Sequence, residues 1–161
     1  STFSGCSNLV DVYYNGTIED WCNIEIEYFS STPMLYAEHI YMLDEENEYI
    51  EVTEIVIPES VTEIADYQFL GFNNVTNLFI HNGVTKVGVE AFSDCTSMTS
   101  ITIPNSVIRI GLDAFTNCGD KLTIDYNGSK EDCKKLYNSK NFQNTYFTVN
   151  CTDGKIVKKK R

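Results

Sequence analysis

One 23-residue unit is written three times between Val52 and Asp120, and this constrains the chain more than any other feature. Val52, Val75 and Met98 open the copies. They are followed at fixed offsets by Ile55, Leu78 and Ile101, by Ile57, Ile80 and Ile103, by Val61, Val84 and Val107, and by Ile64, Val87 and Ile110. Each copy then reaches an aromatic, Phe69, Phe92 or Phe115, and closes on Phe72, Cys95 or Cys118. A fixed period of this length marks stacked supersecondary units, none of which can bury its own apolar face alone. Within each unit the β-branched segments 53–57, 76–80 and 99–103 read as parallel strands on adjacent rungs. A second extended stretch, 61–64 and its equivalents, crosses the other side of the coil. Pro58 and Pro104 close the first strand, and Ala65, Gly88 and Gly111 mark a bend before a short helical turn that reaches the phenylalanine.

The flanks carry a second duplication. Leu9 to Tyr14 alternates like a strand and ends at Asn15-Gly16, and Thr17 then caps a short helix with an acid three residues on. The same order recurs 112 residues later as Leu122, Ile124, Tyr126, Asn127-Gly128 and Ser129-Lys-Glu-Asp132. Cys133 stands where Trp21 stands in the first copy, which makes that slot one of packing. Residues 25–51 read as an inserted hairpin, with strands at 40–42 and 49–50 flanking the acidic run Asp44-Glu-Glu-Asn-Glu48. Residues 129–138 read as a helix and 146–149 as a final strand. The expected organisation is a single domain over 1–161. Residues 1–51 form a partial repeat, a variant rung and the hairpin, 52–120 the repeats, and 121–161 a second variant rung and a cap. Phe3-Ser-Gly-Cys6 has the spacing of Phe92-Ser-Asp-Cys95, so the first residues read as the end of a repeat and the chain as a segment of a longer protein.

Composition narrows the partners. Twelve Lys and Arg against 23 Asp and Glu leave a net charge of -11, which repels phosphate backbones and anionic membranes. Nucleic acid is not expected as a partner. The basic end, Lys155 to Arg161, reads as a solvated, mobile tail. No apolar run approaches the roughly 20 residues of a membrane span, so direct insertion is not expected either. Of the six cysteines, Cys6, Cys95 and Cys118 occupy the repeat slot that Phe72 also fills, where a thiol serves as a small hydrophobe. Equivalent residues on neighbouring rungs lie about 5 Å apart, so a Cys95–Cys118 disulfide is geometrically open as well. Cys22, Cys133 and Cys151 lack the spacing of a zinc site. The acidic run 44–48 lacks the alternation and glycine of a calcium loop and reads as solvated turn charge. No metal and no cofactor is expected.

The segments Met98-Thr-Ser-Ile-Thr-Ile-Pro-Asn-Ser-Val107 and Ile110-Gly-Leu-Asp-Ala-Phe115-Thr-Asn-Cys118 resemble the BspA-like leucine-rich repeats of bacterial and protist surface proteins. The two Tyr-Asn-Gly units look like modules that occur among those repeats. The resemblance implies a leucine-rich-repeat solenoid, a right-handed stack of mainly parallel β rungs with short helices or 3-10 turns. It further implies a secreted or cell-surface protein of a host-associated microbe, used for adhesion or protein binding. The best-known leucine-rich repeats carry Asn or Cys at a ninth position that ties neighbouring loops together. Ser60, Gly83 and Ser106 stand there, so that tie is absent or replaced.

No constellation for catalysis is present. His39 and His81 are the only imidazoles; His39 precedes a hairpin strand, His81 reads as an exposed rung edge, and neither sits in a motif. There is no glycine-rich phosphate loop and no nucleophile elbow. Asn15-Gly-Thr and Asn127-Gly-Ser fit a glycosylation pattern and turn chemistry equally. Binding is the better-motivated role. The residue between two inward isoleucines points outward, giving the rows Tyr13, Val56, Phe79, Thr102, Asp125 and Asp11, Glu54, Asn77, Ser100, Thr123. Tyr13, Glu54, Val56, Asn77, Phe79, Ser100 and Thr102 are the candidate protein-binding residues, with Phe79 as anchor unless the insertion covers it. The expectation is a monomer that binds a protein, such as host extracellular matrix or a surface protein, or a glycan. The alternative is a structural spacer without a ligand. On the other side, Glu63, Lys86 and Arg109 form a column able to pair.

Overall fold

The computed structural model describes residue 3 and residues 5–137 and 146–158. In chain order, β1 (Asp11–Tyr14) leads to α1 (Ile18–Cys22), two 3-10 helices (Phe29–Ser31 and Pro33–Leu35) and a hairpin of β2 (His39–Leu43) and β3 (Tyr49–Glu51). The repeats supply β4 (Glu54–Val56), β5 (Glu63–Ile64), β6 (Asn77–Phe79), β7 (Lys86–Val87), β8 (Ser100–Ile103) and β9 (Arg109–Ile110). β10 (Leu122–Tyr126), α2 (Lys130–Leu136), β11 (Phe147–Cys151) and β12 (Gly154–Lys158) follow. They form three sheets, ordered β12-β11-β10-β8-β6-β4, β5-β7-β9 and β1-β2-β3.

The 23-residue period becomes the register. Ile55 pairs with Leu78 and Leu78 with Ile101 in the long sheet, and Ile64 with Val87 and Val87 with Ile110 in the short one. Every one of these side chains is buried. The phenylalanines obey the same arithmetic. Phe69, Phe92 and Phe115 are fully buried and stack at 5.2 and 5.5 Å between centroids with planes 8° and 2° apart. One rung advances by about 4.8 Å, and a slight offset brings identical rings into the separation that stacked aromatics favour.

The side of the coil that carries the phenylalanines departs from the expected helical turn. It is built from turns with left-handed residues at the same two places in each unit: Tyr67, Glu90 and Asp113 at φ near 50–60°, and Gly71, Asp94 and Asn117 at φ 56–78°. A helix would close its N–H groups on its own carbonyls. These turns aim alternate N–H groups at the next rung instead: Tyr67, Phe69 and Gly71 donate to the carbonyls of Val89, Ala91 and Ser93, and Glu90, Phe92 and Asp94 to Leu112, Ala114 and Thr116. The stack therefore has an inter-rung ladder on this side too. At the bend that precedes it, a Cβ on Gly88 would lie 2.5 Å from the backbone of Ala65, and one on Gly111 2.5 Å from the backbone of Gly88, while Ala65 faces open solvent.

Cys95 and Cys118 are unbonded and buried, their thiols donating to the carbonyls of Phe69 and Phe92. Burial raises both thiol pKa values far above the ordinary range. Cys6 keeps the turn hydrogen bonds of that slot, yet it is exposed and takes no part in the core, because no described rung stacks beyond β1 on its side.

The flanking duplication extends further than strand, turn and helix. β1 pairs parallel with β2 and β2 antiparallel with β3; β10 pairs parallel with β11 and β11 antiparallel with β12. Two copies of one three-stranded module thus bracket the repeats. Thr17 forms a capping box with Asp20, and Ser129 caps α2. In the module slot for packing, Trp21 and Cys133 are both buried. The Trp21 Nε1–H donates to the Gln68 carbonyl at 2.7 Å, and the Gln68 amide returns a bond to the Trp21 carbonyl at 2.6 Å, which fastens the first module to the first repeat.

The basic end corrects an expectation. Residues 154–158 are strand β12, not a free tail: Ile156 packs towards the core and Lys158 lies 5.4 Å over the Phe147 ring. Lys155 and Val157 point outward, so the alternation of a strand is present beneath the charge. Residues 159–161, like 138–145, lie outside the described residues.

Candidate functional site

The outward rows hold within the long sheet. Val56, Phe79, Thr102 and Asp125 are in register across β4, β6, β8 and β10, as are Glu54, Asn77, Ser100 and Thr123. Val56 is 62 % exposed and Phe79 42 %, so the insertion leaves Phe79 open. Asn77 donates to Glu54 at 2.8 Å, and Asn150 to Asp125 at 2.6 Å, which stiffens the polar part of the face. On the opposite side Lys86 meets Glu63 at 3.6 Å, an exposed pair of small energetic weight.

Tyr13 and Asp11 do not belong to those rows. They lie on β1, whose sheet is separate from that of β4, and their neighbours are on the hairpin: Asp11 faces His39, and Tyr13 faces Tyr41, which in turn faces Glu51. Tyr13 and Tyr41 stack at 4.7 Å, and Tyr49 meets Tyr13 edge-on at 5.4 Å. The expected row breaks at this point because the chain changes sheets between β3 and β4.

His39 sits in β2, where its Nδ1 donates to Glu51 Oε1 at 2.6 Å, and the Asn74 amide donates to the same oxygen at 2.6 Å. The Glu51 hydrogen bond, helped by the charges of Glu51, Asp11 and Glu38 and opposed by burial, raises the His39 pKa. The bonds from His39 and Asn74 hold the Glu51 carboxyl below its ordinary value. This cluster ties the hairpin to the first repeat. Burial, then the charges of Glu51 and Asp11, raises the Tyr41 pKa.

His81 is not the exposed edge expected of it. Its side chain is 13 % exposed, Nε2 donates to the carbonyls of Pro58 and Val61 at 2.9 and 3.0 Å, and Nδ1 accepts from the Gly83 amide at 2.9 Å. A proline cannot make such bonds, so its presence at the equivalent positions 58 and 104 concealed the role. His81 and Ser106, whose hydroxyl donates to the Val84 carbonyl at 2.8 Å, replace the tie between rungs that the resemblance had left open. At the hairpin tip, Asp44 turns its carboxylate onto the Glu46 and Glu48 amides.

Charge is distributed unevenly along the sequence. All twelve Lys and Arg lie at or beyond Lys86. Residues 1–85 carry fifteen of the 23 carboxylates with no Lys or Arg to offset them. The first module and its tyrosine face stand in this acidic half.

Among the described residues no helix is long and apolar enough to cross a membrane. Comparison with curated proteins and with solved structures returned no match. The family model of the BspA type leucine rich repeat region matches in six copies over residues 44–154, more than half of the chain, and with its 23-residue solenoid this protein belongs to that family.

Proposed function

We propose that this chain is a non-catalytic recognition module of a secreted or cell-surface protein, and that it binds a protein partner through the strand face of the long sheet. The observation that carries this reading is the exposed Val56–Phe79 pair, in register beside small polar residues. An aromatic held on a rigid, hydrogen-bonded sheet is suited to anchor an interface. Leucine-rich repeats generally serve protein interaction or structure, and this family is commonly surface-associated; a host matrix protein, a host surface protein or a glycan is the partner class such a role calls for. Both imidazoles are engaged in bonds that hold the fold, which supports a non-catalytic role. The test is attachment of the purified chain to immobilised extracellular matrix. Phe79→Ala should weaken saturable binding roughly tenfold, as loss of an interface anchor does. Unchanged attachment would favour a spacer without a ligand in this segment.

A further inference from the structure

The two flanking modules share strands, register, turn and helix, so each serves as an internal control for the other. Where the first has Tyr13 and Tyr41 facing each other, the second has Asp125 and Asn150 in the same register positions. The scaffold therefore does not require aromatics there. The first module nevertheless keeps aromatics at the surface: Tyr13 is 60 % and Tyr49 45 % open, and Tyr41 between them is half-buried. Asp11 and Glu51 stand beside the rings and Glu38 lies 4.0 Å from His39, the acidic half of the chain supplies no Lys or Arg to neutralise them, and the one imidazole, His39, is already bonded to Glu51.

Aromatic faces rimmed by carboxylates attract a guanidinium or ammonium group through the ring quadrupole and through charge-assisted hydrogen bonds. The negative field of residues 1–85 would steer such a group in and repel an acidic one. A neutral sugar would gain nothing from that field. We propose that the outward face of β1, β2 and β3, centred on Tyr13 and Tyr41, docks an arginine- or lysine-bearing segment of a partner protein. It rests on the reading above only in treating the chain as a binding module, because this face lies on a different sheet from Val56 and Phe79.

The experiment uses a fluorescent eight-residue peptide alternating Arg and Gly, titrated with the whole chain and read by anisotropy at low and high salt. Saturable binding that weakens with salt is expected, with none for the peptide carrying Gln in place of Arg. The decisive variants are Tyr13→Asp and Tyr41→Asn, which copy the second module and so leave folding intact, as circular dichroism would verify. Tyr13→Asp adds a negative charge. If charge alone held the peptide, affinity would stay or rise. The aromatic platform requires a fall of roughly fivefold or more, while Phe79→Ala leaves peptide binding unchanged. Equal or tighter binding by Tyr13→Asp would overturn the proposal. So would equal binding of the Gln peptide, displacement of the Arg peptide by a neutral oligosaccharide, or self-association in sedimentation that Tyr13→Asp abolishes.

Discussion

Exchanging glycine and alanine at equivalent bends should have very unequal consequences on different rungs. In Gly88→Ala the new Cβ would lie 2.5 Å from backbone atoms of Ala65 and Asp66. Ordinary contact begins near 3.4 Å, so the rungs must part locally by almost 1 Å. The bonds that cross this gap, Tyr67 to the Val89 carbonyl at 2.9 Å and Val89 to the Asp66 carboxylate at 2.8 Å, would stretch beyond useful length. Losing two such bonds costs about 2 kcal/mol. Overpacking against backbone adds about 1–3 kcal/mol. The sum is roughly 4 kcal/mol, a large share of the about 5–15 kcal/mol that holds a domain together. For a chain of this size it corresponds to a fall in Tm of roughly 8–16 °C. Gly111→Ala meets the backbone of Gly88 in the same way and should cost the same. Ala65→Gly, at the open end of the column, should cost only about 0.5–1 kcal/mol, the backbone entropy of glycine. Thermal and urea unfolding followed by circular dichroism would measure all three. A Gly88→Ala shift below about 2 °C, or an Ala65→Gly loss equal to that of Gly88→Ala, would refute the close-stacking argument.

The His39–Glu51 pair predicts a pH window. His39 is raised from 6.5 on folding, so its contribution is complete below that value and lost as pH rises through the raised one. Glu51 is lowered from 4.5, so its contribution is complete above that value and lost as pH falls through the lowered one. Hairpin attachment should be strongest between these limits. His39→Ala should flatten the decline of Tm as pH rises above 6.5, and a wild-type Tm that climbs with pH there would contradict the sign. Thiol labelling should find Cys6 fast and Cys95, Cys118 and Cys133 silent until denaturant is added, since burial, with Cys151 beside it, pushes the Cys133 thiol up to about 12. Rapid modification of Cys118 in the native state would show that the rungs breathe apart.

The core was legible because a solenoid writes each packing position several times: Ile55, Leu78 and Ile101 identify one another, and so do the stacked phenylalanines. The capping box at Thr17 and the acidic hairpin were readable from local chemistry. What repetition could not convey was the break between sheets. Tyr13 has the offset of an outward residue on any rung, but its neighbours Tyr41 and Tyr49 come from an insertion with no repeat to calibrate it. β12 was hidden by lysines that obscured the inward Ile156. The role of His81, reaching carbonyls on the rung below, is invisible in the sequence because it depends on a spacing that exists only after stacking. The gathering of every Lys and Arg beyond position 85 was visible in the composition once each half was counted separately.

The ladder between rungs also makes the repeats a ruler. The backbone ladders recur at the same offsets in every copy, so a whole unit can be added or removed with those ladders kept, while side-chain ties such as His81 to Pro58 and Ser106 to Val84 belong to single junctions. One such change would move the two modules, and with them the acidic tyrosine face and the basic β12 strand, by one strand spacing of roughly 4.8 Å. The distance between the two modules is then set by the number of units rather than by the residues of either module. Insertion of 23 residues is the smallest step that alters it without shifting the register.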